Sequence, residues 1–94
     1  MAFPKQDTKS YNKARVENIT AGQKGCYGLY RGDTWVYVGK GDIRDRLLDH
    51  LNGDDPCITR EKPTHWVDEV TDDMNAREKE LIRELEPICN ERIG

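Results

Sequence analysis

Gly25-Cys26-Tyr27-Gly28-Leu29-Tyr30-Arg31, then Gly32-Asp33, then Thr34-Trp35-Val36-Tyr37-Val38-Gly39: two apolar-aromatic runs meet across a two-residue turn. The first alternates, with Tyr27 and Leu29 on one face. The second is rich in β-branched and aromatic residues, which suit a pleated, half-buried surface. Gly-Asp between such runs is a hairpin signal, so the two strands are expected to be antiparallel neighbours. Gly39, Gly41 and Asp42 end the second strand. Asp42 is placed to cap a helix from Ile43 to about Asn52.

That helix sets Ile43, Leu47 and Leu51 on one stripe, with Arg46 and His50 bordering it on the same edge. Being one turn apart, they can point at one ligand. The bland alternative is two boundary residues, with the arginine stem lying along apolar surface. Residues 52–63 carry Asn-Gly, Asp-Pro and Pro63 and are expected to be a loop. A third strand is expected over His65–Val70. A second helix should cover about residues 73–85, stopped by Pro87. Met74, Leu81, Ile82 and Leu85 form its apolar stripe, and Glu78 falls in the middle of it. A carboxylate there is costly unless paired or metal-bound. The plain alternative is an ion pair with an arginine such as Arg46.

Upstream, residues 1–23 hold Lys5, Lys9, Lys13 and Arg15 and are expected to be a loose basic tail, with one helical turn near Tyr11 to Val16. Residues 24–94 form the domain. Ninety-four residues, 35% hydrophobic and 35% charged, allow one domain with a thin core. The net charge is −3. Residues 1–50 hold nine Lys/Arg against six Asp/Glu, and residues 51–94 hold six against twelve. Backbone phosphates would therefore meet the N-terminal half. The odd count of three cysteines and the absent CxxC argue against a disulfide framework and a zinc knuckle, and predict reduced thiols. With no transmembrane-length run and no signal peptide, the expected location is cytoplasmic.

Gly25-Cys26-Tyr27, Tyr37-Val38-Gly39, Arg46, His50 and Glu78, followed by Leu81-Ile82 and Asn90, together resemble the GIY-YIG nuclease superfamily. The two tyrosines are ten residues apart, and Arg46 follows the second by nine. Both spacings suit the family, and the similarity spans about residues 24–90. Cys26 replaces the usual branched apolar residue, and the turn between Gly39 and Ile43 is one residue short. The resemblance implies an α/β (α+β) fold with a three-stranded antiparallel sheet flanked by helices. It also implies a metal-dependent DNA endonuclease.

Under that resemblance Glu78 holds one Mg²⁺ or Mn²⁺. Tyr27 is the candidate general base, with Tyr37 as a second hydroxyl near the water. Arg46 holds the scissile phosphate, and His50 orients Tyr27 or relays its proton. Lys40 and Arg44 contact phosphate. Asn90 holds the C-terminal segment by hydrogen bonds and is grouped with the substrate-binding residues. The partners expected are DNA and a protein partner or second copy that supplies specificity. Two rival readings are a catalytically silent nucleic-acid- or protein-binding domain of the same fold, and an unrelated small α/β interaction module.

Overall fold

A computed structural model of the chain describes residues 3–90. The first two residues of the expected tail and the last four of the expected domain lie outside them. Along the chain run β1 (Lys9–Ser10), α1 (Lys13–Glu17), β2 (Lys24–Arg31), β3 (Thr34–Asp42), α2 (Ile43–Leu51), α3 (Pro56–Glu61), β4 (His65–Val70) and α4 (Met74–Leu85). The strands form one antiparallel sheet in the order β1-β4-β2-β3.

The hairpin turns at Gly32, whose φ of +58° suits glycine. Tyr30 pairs with Trp35 but Leu29 pairs with Tyr37, so Val36 is an extra residue in β3. This bulge turns both Val36 and Tyr37 toward the same core. One face of the sheet is covered by α1, α2 and α3, around Val16, Tyr27, Leu29, Val36, Ile43, Leu47, Ile58 and Trp66. The other carries Cys26 and Val38, closed by Leu81 of α4 and by Phe3. Cys26 has the small, buriable character its position needs. Burial pushes its thiol up to about 11, and it donates to the Met74 carbonyl.

Four expectations are corrected. The sheet has four strands, because the supposed loose tail supplies β1 against β4. That segment also buries Val16 and anchors Tyr11, whose hydroxyl donates to the Leu47 carbonyl at 2.7 Å. The supposed loop 52–63 contains α3: Asp55 caps it and Pro56 opens it, since proline at the first helical position sacrifices no hydrogen bond. Leu51 is 36% exposed, and His50 takes its place in the buried face of α2. One residue beyond His50, the helix has turned roughly 100° off the sheet.

The fourth correction concerns the thiols. Cys57 and Cys89 form a disulfide, with Cα atoms 5.7 Å apart, and only Cys26 is free. The spacing of 32 residues hides this pair in sequence. It forms because Glu86, in the left-handed region at φ +47°, turns the chain back after α4. Ile88 and Cys89 then donate to the carbonyls of Trp35 and Val36, and Cys89 reaches α3. No described helix is long and apolar enough to cross a membrane.

Candidate active site

The polar centre of the molecule grows from Gly39. A Cβ there would collide with the Tyr27 ring and hydroxyl, and lie 2.8 Å from Tyr37 Cε2. Glycine thus lets Tyr27 cross under β3 and present its hydroxyl to α2. Its Oη is 2.7 Å from His50 Nε2, and His50 Nδ1 is 2.8 Å from Asp54 Oδ1. Both ring nitrogens of a residue only 4% exposed are therefore partnered. An orphaned buried nitrogen would cost about 1–3 kcal/mol. The Tyr37 ring stands edge-on to the imidazole, centroids 5.1 Å apart.

Asp54 reaches His50 through the end of α2. The helix stops at Asn52, and Gly53 takes φ +85°. Gly53 N–H donates to the His50 carbonyl and Asp54 N–H to the Asp49 carbonyl. These two bonds are the Schellman stop, in which a left-handed glycine reverses the chain. The reversal folds Asp54 back along the turn that carries His50.

Arg46 lies one turn before His50. Its guanidinium contacts Asp49 at 3.0 Å and Asp54 at 3.8 Å, half-exposed to solvent. Gly41, at φ +124°, packs against its stem: a Cβ would sit 3.4 Å from Arg46 Cγ. Burial raises the Tyr27 phenol well above its ordinary value and Tyr37 pushes the same way. The Arg46 guanidinium only partly opposes them. The Tyr37 phenol is raised by burial and then by the Glu78 carboxylate.

Glu78 projects from α4 and pairs with Lys40 of β3 at 3.3 Å, not with Arg46. Its side chain is 18% exposed. Arg44 is held apart from this cluster, its Nε donating to the Glu17 carbonyl at 3.4 Å. Asn90 lies on the outer edge of β3, where its amide accepts from Val38 N–H and donates to the Val38 carbonyl, both at 2.8 Å. Val38 is the residue before Gly39, so Asn90 braces the strand that carries the centre.

Tyr27, Tyr37, Arg46 and His50 thus gather around one point, with Glu78 and Lys40 at its rim. Asp54 is the member that sequence reading missed. Its signal was the spacing of four from His50, masked by the Asn-Gly turn signal between them. Among the described residues no group of three or more His, Cys, Asp or Glu could hold a metal ion. Glu78 offers one hard oxygen donor, which suits an ion that keeps most of its waters. The chain matches no protein-family model, no curated protein and no solved structure.

Proposed function

We propose that the chain is a metal-dependent DNA endonuclease whose centre is Tyr27, Tyr37, Arg46, His50 and Glu78. One observation carries this reading: Tyr27 is hydrogen-bonded to a buried histidine one helical turn from a half-exposed arginine. A proton acceptor chain and a phosphate-binding cation therefore share one helix. The chemistry follows from what the phosphodiester needs. An attacking water must lose a proton, and charge builds on the phosphate oxygens. Burial disfavours a standing Tyr27 phenolate, so Tyr27 accepts the water proton as it passes its own to His50. Arg46 exchanges its carboxylate partners for the scissile phosphate, with paired N–H donors matched to its oxygens. Tyr37 donates a second hydroxyl beside the water, and Lys40 meets a neighbouring phosphate. Glu78 would hold Mg²⁺ or Mn²⁺, which supplies charge neutralisation at the phosphate.

Cleavage of supercoiled, linear, branched and single-stranded DNA, with Mg²⁺, Mn²⁺ or EDTA, tests the reading. Glu78→Gln should abolish metal-dependent cleavage and leave DNA binding and folding intact. Full activity in that variant sinks the assignment. The second reading, a silent DNA-binding domain, has one observation on its side. Arg46 and Lys40 are both already held by carboxylates. Binding without cleavage in every metal would favour it. We also place the chain in the cytoplasm, against the tendency of disulfides to persist in oxidising compartments. Protein made in a reducing cytoplasm and denatured without reductant should titrate as one thiol if the bond survives there, and three if it does not.

A further inference from the structure

We propose that Asp54 is a positioning residue that fixes the direction of the Tyr27–His50 hydrogen bond. Its kinetic consequence rests on the nuclease reading; the direction of the bond does not.

A carboxylate only accepts hydrogen bonds. With Asp54 Oδ1 at 2.8 Å, His50 Nδ1 carries the proton. In the neutral ring Nε2 then holds a lone pair, and Tyr27, 2.7 Å away, must donate to it. The reverse tautomer would set an Nδ1 lone pair against a negative oxygen and turn Nε2–H onto the Tyr27 oxygen. That would occupy a lone pair the water needs and leave the phenol proton nowhere to go. With Asp54 in place, the water proton moves to Tyr27 and the phenol proton to Nε2. The imidazolium that forms keeps a carboxylate at Nδ1. The water proton thus ends as the extra proton on His50 Nε2, which the imidazolium returns to solvent after the product leaves.

The same carboxylate sets the resting place of Arg46. Oδ1 serves His50 while Oδ2 lies 3.8 Å from Arg46 Nη2. When a phosphate draws Arg46 away, the Asp54 charge serves His50 alone. The backbone makes this reliable, because the Gly53 reversal and the Asp54 N–H bond to Asp49 hold the loop without using the side chain. Asp54 is 37% exposed along its side chain, so its replacement should leave the fold standing.

The direct test is the imidazole ¹⁵N spectrum of the whole chain in mildly alkaline solution. The protein has two histidines, and His65→Gln assigns the signals. Wild-type His50 should be the Nδ1–H tautomer, and Asp54→Ala should lose that preference while its melting curve stays cooperative. In the cleavage assay Asp54→Asn should lower kcat on the order of 10²- to 10⁴-fold, as when an aspartate orienting a catalytic histidine is lost. KM should not rise, and Asp54→Glu should restore part of kcat. An Nε2–H tautomer in the wild type overturns the proposal, as does an Asp54→Ala protein that keeps both tautomer and kcat. If the wild type cleaves nothing, the nuclease reading fails by itself, and the tautomer still decides the assignment of Asp54.

Discussion

At the β3 edge the Asn90 side chain grips Val38 N–H and carbonyl, both at 2.8 Å. At the opposite flank Gln6 does the same to Asp68 of β4, both at 3.0 Å. A carboxamide has the donor and acceptor of a peptide group, so each copies one rung of a missing strand and blunts an edge that could otherwise recruit another chain. The anchors differ. Asn90 follows Cys89, which is bonded covalently to α3. Gln6 has no covalent anchor: its segment is held by the pairing of Lys9–Ser10 with β4, by Phe3 stacked on Trp35, and by Lys9 3.3 Å from Asp68 and over the Trp66 ring. The covalent anchor guards the strand that carries Tyr37 and Gly39, where a small displacement would be felt by the site.

Removing the disulfide should separate the two edges most. Closing a 32-residue loop restricts the unfolded chain by about 3–4 kcal/mol in the chain-entropy account. Urea unfolding with and without reductant measures it, and an unmoved midpoint would mean that the bond does not restrict the unfolded chain as that account requires. Asn90→Ala comes next, at about 1–3 kcal/mol, because Val38 is fully buried and loses both partners. Amide exchange at Val38 should accelerate. The effect should shrink in reduced protein, since both changes release one segment. Gln6→Ala should cost least, about 0.5–1 kcal/mol, because Asp68 is half-exposed and water can replace the amide. A larger loss for Gln6 than for Asn90 would invert the ranking of the edges.

What could be read in the sequence was what local chemistry decides. The Gly32-Asp33 hairpin, the Asp42 cap on α2, β4 over His65–Val70 and α4 up to Leu85 all follow from turn residues and periodicity. The convergence of Tyr27, Arg46 and His50 was expected, though only through a resemblance and a helical wheel. β1 was invisible because a two-residue strand has no period. Asp55-Pro56 was ambiguous, since the dipeptide that marks a turn also opens a helix. Asn52-Gly53 likewise carries a loop signal, and in the fold it is the stop that delivers Asp54. The Cys57–Cys89 bond depends on the reversal at Glu86, a left-handed non-glycine residue that no propensity announces.

That bond also decides which parts of the chain can bear tension. A pull on the two termini runs through Cys57 and Cys89 and bypasses everything between them. β4 and α4, with Glu78, sit in a slack covalent ring, while the hairpin and α2 lie in the loaded path. A stretched oxidised molecule would surrender Tyr27, Arg46 and His50 and keep roughly 110 Å of chain hidden, taking about 3.4 Å for each of the 32 residues. Only reduction would pay that length out.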